Sequence, residues 1–372
     1  MRLTIERAAF LKALTHVQSV VERRNTIPIL SNVLVSARGE GLRLSATDLD
    51  IEISESVSAQ IERPGATSAP AHNLYDFVRK LPEGPVLLEL KPDDPRLFIS
   101  AARTRLHLPV LPADDFPLMP ADGFDTEFQI HPTELGRLID KTRFAISTEE
   151  TRYYLNGIFF HTVVNGAGAP MLRGVATDGH RLALADAVAP EGAQKMPGVI
   201  VPRKTINELR RLLDDAADVV TISVSPQKIR FALNDAVLTS KLIDGSFPEY
   251  ARVIPKQNSK KLKLENKAFA EAVDRVATVS AERSRSVRLA IESDKVTLTV
   301  NNPDAGLATE DLAADYADDP MEIGFNAKYL LDVAQQIEGE SALFELADSG
   351  SPTLVRDETD DHALYVLMPL RV

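Results

Sequence analysis

An internal repeat is the feature that most constrains how this chain can fold. Thr177-Asp178, in a turn between two apolar runs, follows Thr47-Asp48 by 130 positions, and a turn at Asn301-Asn302 comes 124 positions after Thr177. Similar strand and helix patterns precede each turn. Each copy of about 125 residues is large enough to bury its own core. The 372-residue chain is therefore predicted to contain three similar domains in a row.

Within each copy, the apolar spacing predicts strands and helices in the same order. The predicted opening strands are 2–5, 127–130 and 261–264; the helices that follow are 7–22, 132–144 and 267–279; later strands include 153–160, 287–291 and 296–300. The second halves repeat a strand that runs into a helix, at 71–78, 201–209 and 325–331, and then strand hairpins, as at 219–224 with 228–233 and 342–346 with 353–355. Helices gathered on one face of antiparallel sheets indicate an α+β fold.

Composition excludes several classes of protein. The chain has no cysteine, which excludes a disulfide framework, Cys-ligated zinc and a thiol nucleophile, and is typical of a reducing cytoplasm. An apolar fraction of 44% is normal for a globular protein. No stretch approaches the roughly 20 apolar residues of a membrane span, and the N-terminus lacks the apolar run of a signal peptide. We therefore expect a cytoplasmic protein that does not bind membranes.

Charge is unevenly distributed along the chain. The net charge of −12 argues against nucleic-acid binding, since most such domains are basic. Basic residues nevertheless recur on or beside the predicted helices of every copy: Arg7, Lys12, Arg23 and Arg24; Arg137, Lys141, Arg143 and Arg152; Lys267, Arg275, Arg283, Arg285 and Arg288; and His72, Arg203, Lys204 and Lys328 at the second helices. On one helix this is typical of a solvated face. Its recurrence favours a shared positive surface for the DNA phosphate backbone, which carries no sequence information.

The turn of the middle copy places Asp178 and His180 between two apolar runs. Two interpretations compete: an acid–base pair of a hydrolase, or a structural turn that exposes a docking surface. A third hypothesis is a repeat scaffold that binds only proteins. Against a hydrolase, the sequence has no metal-ligand cluster, phosphate-binding Gly loop or nucleophile elbow, and Gly166-Ala167-Gly168 fits a hairpin loop. We expect no metal and no cofactor.

The whole chain resembles the bacterial DNA polymerase III beta subunit family, the replicative sliding clamps. The motifs that carry the resemblance are 26–32, 111–117, 152–157, 176–182, 201–204, 240–245, 247–248 and 365–371. The resemblance implies clamp domains at 1–121, 127–252 and 253–372. It also implies a head-to-tail homodimer, a ring with antiparallel sheets outside and helices lining the hole. Such a ring encircles double-stranded DNA without sequence preference and is a non-catalytic processivity factor.

The resemblance also implies which residues face DNA. They are Arg24, His72, Glu149, Tyr153 and Tyr154, and Arg152, Arg203 and Lys204 fit the same role by their charge. The family usually has a stronger base at the position of His72 and an uncharged amide at the position of Glu149. We expect the Glu149 carboxylate to repel phosphate.

Partners of the family insert a short linear motif into an apolar pocket. These partners are the polymerase III alpha subunit, the clamp loader, and other polymerases and repair proteins. The pocket positions here are Leu155, Thr177, Gly179, His180, Arg181, Leu182, Pro248, Arg252, Val253, Val366, Met368, Pro369, Leu370 and Arg371. Leu, Val, Pro and Met make an adaptable surface suited to several competing partners. The alternative is that Leu182, Val253 and Met368 are ordinary core residues.

The family's ring closes between the first copy of one chain and the third copy of the next. The corresponding residues here are Arg96, Arg103, Arg105, Leu106 and Leu108 on one side, and Thr278, Val279, Asp304 and Glu310 on the other. An apolar centre surrounded by opposite charges is a reasonable association surface. Thr278 is polar where the family pattern can be apolar.

Overall fold

The structure, a computed structural model, describes residues 1–39, 41–92, 94–280 and 285–371. The chain divides into two compact units. The first contains Met1–Thr133, Pro190–Pro197 and Lys204–Leu242, and the second contains Glu134–Ala189, Gly198–Arg203 and Ile243–Val372. Arg283, one of the predicted basic residues, lies outside the described residues.

The α-helices of the described chain are α1 (Arg7–Val17), α2 (Ala71–Lys80), α3 (Pro132–Asp140), α4 (Arg203–Leu213), α5 (Asn266–Ala277) and α6 (Ala327–Ala334). Two first helices end earlier than predicted. After α1, Ser19 donates its hydroxyl to the carbonyl of His16, and the chain tightens into a 3-10 turn. After α3, the hydroxyl of Thr142 bonds back to the carbonyl of Leu138. Such side-chain bonds to the backbone compete with helix continuation.

Strands account for more of the described chain than helices do. The strands of the first copy are β1 (Arg2–Glu6), β2 (Asn32–Arg38), β3 (Gly41–Thr47), β4 (Ile51–Ser58), β5 (Gln60–Arg63), β6 (Gly65–Pro70), β7 (Pro85–Leu90), β8 (Arg96–Ala101) and β9 (Thr104–Pro109). Those of the second copy are β10 (Thr126–Ile130), β11 (Gly157–Val164), β12 (Pro170–Thr177), β13 (Arg181–Val188), β14 (Val199–Pro202), β15 (Val220–Val224), β16 (Lys228–Leu233) and β17 (Ala236–Lys241). Those of the third are β18 (Lys260–Glu265), β19 (Ser286–Glu292), β20 (Lys295–Asn302), β21 (Gly306–Ala313), β22 (Met321–Asn326), β23 (Ser341–Leu346), β24 (Thr353–Asp357) and β25 (Ala363–Leu367).

The first unit contains two antiparallel sheets. One has the strand order β5-β1-β7-β8-β9, and the other has the order β10-β15-β16-β17-β4-β3-β2-β6. In the larger sheet, β17 of the second copy pairs with β4 of the first, with Ala236 opposite Glu55. Side chains alternate along the strands: on β16, Ile229, Phe231 and Leu233 are buried. A continuous sheet and its apolar face therefore join the first copy to half of the second.

The second unit repeats this arrangement. Its sheets have the strand orders β14-β11-β12-β13-β25-β24-β23-β18 and β21-β20-β19-β22. In the larger sheet, β25, the last strand of the described chain, pairs with β13, and Arg181 lies opposite Leu367. Phe269 of α5 and Phe344 of β23 pack edge to face in the core, 5.4 Å apart. The pairing of β13 with β25 brings the middle copy's turn next to the end of the chain.

The predicted α+β architecture and the hairpins β15–β16 and β23–β24 are confirmed. The predicted strand 153–160 is wrong at its start, because Glu150–Leu155 forms a 3-10 turn and β11 begins at Gly157. A Cβ at Gly157 would overlap the carbonyl of Val201, so this glycine allows the close pairing that starts the strand. The predicted turn at 301–302 is also wrong, since β20 continues to Asn302. No helix of the described residues is long and apolar enough to span a membrane.

Candidate functional site

The turn between β12 and β13 is held by its own side chains. Thr177 donates its hydroxyl to the carbonyl of Arg181 (2.6 Å), and Asp178 Oδ1 accepts the backbone N–H groups of His180 (2.9 Å) and Arg181 (3.0 Å). Gly179 has φ +87°, a left-handed conformation that glycine adopts without strain. The other carboxylate oxygen of Asp178 accepts from Arg181 Nε. Both carboxylate oxygens of Asp178 therefore accept hydrogen bonds within the turn and from Arg181. This arrangement does not support an acid–base pair of Asp178 and His180 in a hydrolase.

Arg181 is a structural cation rather than a free one. Its side chain is only 6% exposed and forms an ion pair with Asp332 of α6. Its Nη2 donates to the carbonyl of Phe144 (2.6 Å), and the guanidinium lies 4.4 Å from the centre of the Tyr329 ring. A buried guanidinium is stable only when it is paired and hydrogen-bonded in this way. Arg181 therefore fixes the turn to α6.

A groove of about 280 Å³ opens beside this turn. Its lining contains many of the predicted pocket residues: Leu155, Thr177, Gly179, Arg181, Leu182, Pro248, Val253, Val366 and Met368. Leu182 is 3% exposed and packs with Val366 in the core, so it is both a core residue and the floor of the groove. Val253 is 50% exposed and Met368 is 39% exposed. For these two residues, the ordinary-core alternative is wrong.

Other predicted pocket residues do not line the groove. They are His180, Arg252, Pro369, Leu370 and Arg371. The carbonyl of His180 accepts the N–H of Met368 (2.9 Å), which ties the chain end to the turn while the imidazole lies exposed. Arg252 forms an exposed ion pair with Glu249 (2.6 Å). The N–H of Leu370 donates to the carbonyl of Gly324 (2.8 Å), which directs the chain away along β22.

The structure adds residues to the groove that the sequence did not assign to it. Arg152, Tyr154, Glu249 and Tyr250 complete the lining. The hydroxyl of Tyr250 lies 2.9 Å from Nε2 of His161, which fixes the ring in the wall. Tyr250 lies between the predicted pocket residues Pro248 and Arg252, so its position in the sequence was the available signal. Arg152 was assigned to DNA because of its charge, and Tyr154 because of the family resemblance.

Two of the predicted DNA-facing residues of the first unit are occupied by internal contacts. The Nζ of Lys204 bonds to Glu22 (2.5 Å) and Asp48 (2.6 Å). Burial lowers the pKa of Lys204, but its bonds to Asp48 and Glu22 outweigh burial and raise it. Both ring nitrogens of His72 are 3.0 Å from acceptors, Gln18 Oε1 and the carbonyl of Val21. Both side chains are therefore engaged within the protein, and their contact with DNA stays a prediction.

In the second unit, Glu149 and Arg152 form a bidentate ion pair. Arg152 Nε and Nη2 donate to the two carboxylate oxygens, at 2.8 and 2.6 Å. The bond from Arg152 lowers the pKa of Glu149, and the same bond raises the pKa of Arg152. The pair has no net charge, so the predicted repulsion by Glu149 is offset locally. Arg24 and Arg203 are exposed, and Tyr153 is 53% exposed.

The recurring basic residues do not all face one surface. In the second unit, Arg137 pairs with Asp360 and Lys141 donates to the carbonyl of Gln336 (2.5 Å). The Lys141 side chain is only 5% exposed. The prediction of a shared positive surface is therefore wrong for Arg137 and Lys141, which connect α3 to the third copy.

Comparisons with known proteins agree over the whole length of the chain. The N-terminal, central and C-terminal domain models of the DNA polymerase III beta subunit match residues 1–120, 129–249 and 251–371. The chain belongs to the DNA polymerase III beta subunit family. The beta sliding clamp of Caulobacter vibrioides is 63% identical over 373 residues, and that of Escherichia coli K12 is 38% identical over 375; each match covers 100% of both chains.

Solved clamp structures have the same fold. The crystal structure of a Caulobacter crescentus beta sliding clamp has a TM-score of 0.98 at 63% identity and covers 100% of this chain and 99% of that one. A Bartonella birtlesii clamp bound to griselimycin has a TM-score of 0.97 at 50% identity, with 100% of both chains covered. This chain therefore has three clamp domains and is an accessory subunit of a polymerase. The boundaries 1–121, 127–252 and 253–372 stay predictions, because the compact units divide the middle copy.

The residues predicted for clamp dimerisation lie in different surroundings. Arg103, Arg105 and Asp304 are exposed, while Leu106 and Val279 are half-buried. Leu108 is 4% exposed in the core of the first unit, and its place in an association surface stays a prediction. The charges have local partners: Arg96 bonds to Asp94 and Glu310 to Arg275, while Thr278 donates its hydroxyl to the Arg275 carbonyl.

Proposed function

We propose that this chain is the processivity factor of a replicative DNA polymerase. As a head-to-tail dimer it forms a ring that encircles duplex DNA, slides without sequence preference, and has no catalytic role of its own. Through its groove it tethers the polymerase III alpha subunit, the clamp loader, and other polymerases and repair proteins. It acts in the cytoplasm. The observation that carries this proposal is the apolar groove at the turn 177–181, in a chain matched along its full length by beta sliding clamps.

The groove suits a short peptide better than a folded surface. It is narrow, about 280 Å³, and its floor and walls are Leu155, Leu182, Val366 and the flexible Met368. Apolar side chains of a linear motif fit such a groove, and a methionine can adapt to different motifs. The polar lining groups Thr177 and Arg181 are already hydrogen-bonded within the protein. Affinity would therefore come mainly from apolar anchors, which allows several partners to compete.

The DNA contacts would be few and independent of sequence. Arg24 and Arg203 are exposed cations, and Tyr153 presents more than half of its side chain. Arginine contacts with phosphate carry no sequence information and weaken with salt. Because Lys204 and His72 are engaged internally, the phosphate contacts rest on fewer residues than the sequence predicts. A ring that holds DNA by topology needs no stronger contacts.

Retention on DNA of different topology tests the proposal. The clamp is loaded with its clamp loader onto a nicked circular plasmid, and the bound fraction is measured by gel filtration before and after linearisation by a single-site nuclease. We expect stable retention on the circle and rapid loss from the linear DNA. Equal retention on both would show attachment without encirclement, and no retention on either would leave a scaffold that binds only proteins.

A further inference from the structure

Among the described residues that line the groove, one cation, Arg152, can be reached by a ligand. Arg181, the other arginine of the lining, has a side chain that is only 6% exposed. Its guanidinium is already bonded to Asp178, Asp332 and the carbonyl of Phe144. The Arg152 side chain is 31% exposed, and the structure pairs it with a single carboxylate, Glu149. The Glu149 side chain is itself 52% exposed. An ion pair this exposed is weak enough for an external anion to compete with it.

The position of Arg152 is set by the backbone on both sides of the groove. Within the 3-10 turn Glu150–Leu155, Arg152 has φ −111° and ψ 50°, which breaks the helical geometry. Its Nη1 lies against Gly179, where any Cβ would overlap it. The guanidinium is therefore held between Glu149 on one side and the glycine of the turn on the other. In this position Arg152 is part of the groove lining.

We propose that Glu149 determines the ligand specificity of the groove by acting as an internal competitor for Arg152. This inference rests on the proposed function of the groove. A peptide that carries only apolar anchors leaves the Glu149–Arg152 pair intact. A peptide with a carboxylate side chain beside its anchors binds the Nε–Nη2 edge of Arg152 only by displacing Glu149, and this cost reduces the preference for acidic motifs. The clamp thereby accepts neutral and acidic motifs with similar affinity.

Peptide binding to charge-matched variants tests this inference. The probe is a fluorescein-labelled peptide from the C-terminal region of the polymerase alpha subunit, together with variants that carry a single Asp at each neutral position. We expect Glu149→Gln to strengthen binding of at least one Asp variant by about threefold to fivefold relative to the parent peptide. Glu150→Gln, an equal charge change on the same turn, is the control and is expected to give no such discrimination. The double variant E149Q/R152Q is expected to lose the gain.

The outcomes separate this inference from the function it rests on. A uniform gain for the parent and all Asp variants, or the same gain with E150Q, overturns it, since a general change in charge would then suffice. A gain in duplex DNA affinity without discrimination among peptides also overturns it and assigns Arg152 to phosphate. A parent peptide that fails to bind the wild-type clamp contradicts the proposed groove itself.

Discussion

The turns at 47–51 and 177–181 have the same backbone design. In each, the threonine hydroxyl donates to the carbonyl oxygen four residues later, at 2.9 Å in the first turn and 2.6 Å in the second. In each, the aspartate Oδ1 accepts two backbone N–H groups. The residue after the aspartate is left-handed in both, Leu49 with φ +79° and Gly179 with φ +87°. The Thr-Asp pair therefore fixes the turn, and the groove must arise from the surroundings.

The surroundings differ at the residue that follows each turn. Leu182 forms an apolar floor, whereas its counterpart Glu52 is a buried carboxylate that accepts the N–H of Met119 (2.6 Å). Burial raises the pKa of Glu52. In the first unit, the segment between the copies therefore bonds to the residue whose counterpart forms the groove floor in the second. The same turn design is therefore followed by a buried carboxylate, Glu52, in one copy and by the groove floor, Leu182, in the other.

Removal of the chain end should have the largest effect on peptide binding in the groove of the second unit. We expect deletion of residues 368–372 to abolish binding of a polymerase-derived peptide, because Met368 forms part of the groove wall. The dimer should persist, because β25 ends at Leu367 and keeps its pairing. Fluorescence anisotropy measures the first expectation and light scattering the second. Unchanged peptide affinity would exclude the chain end from the groove.

The next test compares the cations that bind the aspartate of each turn, Arg181 at Asp178 and Lys204 at Asp48. Asp332→Ala leaves the Arg181 guanidinium buried without its main partner, and we expect a loss of about 3 kcal/mol in local unfolding free energy. In the first unit, Lys204→Met removes the cation itself, and since the Lys204 side chain is 35% exposed, we expect a loss of at most about 1 kcal/mol. Hydrogen exchange of the β13 and β4 amides measures both. Equal losses would mean that burial does not distinguish the two cations.

An exchange of the left-handed residues tests the groove side of the turn. Gly179→Leu places a Cβ where Arg152 Nη1 lies and strains the backbone at φ +87°. We expect peptide affinity to fall by about tenfold, since left-handed strain alone costs 1 kcal/mol or more. Leu49→Gly is the control and should leave peptide affinity unchanged. If Gly179→Leu bound peptide normally, the close approach of Arg152 would have no role in the groove.

The sequence predicts the fold well where the pattern is local. Hairpins such as β15–β16 follow from alternating side chains, and the repeat identifies the equivalent turns. The start of β11 was missed because the apolar and aromatic side chains of 153–155 look like a strand while the backbone forms a 3-10 turn. Helix ends were missed where hydroxyls such as that of Thr142 bond back to the helix. These bonds depend on geometry that apolar spacing does not encode.

The candidate site was harder to predict, because charge in the sequence does not reveal distant partners. Arg137 and Asp360 are 223 positions apart, yet they form an ion pair that removes Arg137 from the predicted positive surface. Lys204 is likewise bound by Asp48, 156 positions away. The pocket residues came from the family resemblance, since the pairing of β13 with β25 has no local signal. The Glu149–Arg152 pair could have been found from its three-residue spacing.

The first helices of the two units are attached in chemically different ways. In the second unit, ion pairs of Arg137 with Asp360 and of Lys141 with Glu338 attach α3. In the first unit, Nδ1 and Nε2 of His16, which follows α1's Lys12 by one turn, lie 2.6 Å from Glu55 and 3.1 Å from Asp215. Lys12 also pairs with Asp215 (3.2 Å). The attachment of α1 therefore includes a group that titrates near neutral pH.

This difference predicts a small pH dependence confined to the first unit. Burial lowers the pKa of His16, but hydrogen bonding and attraction to Glu55 and attraction to Asp215 outweigh burial and raise it. A raised folded pKa means that the charged form contributes stability below the unfolded value of about 6.5, and that this contribution is lost as pH rises through the folded pKa. We expect His16→Gln to lower the thermal midpoint at pH 6 and to have less effect at pH 8.5. His72→Gln is the control, since its ring faces the uncharged acceptors Gln18 and Val21. Equal effects of His16→Gln at both pH values would show that its ring acts only through packing.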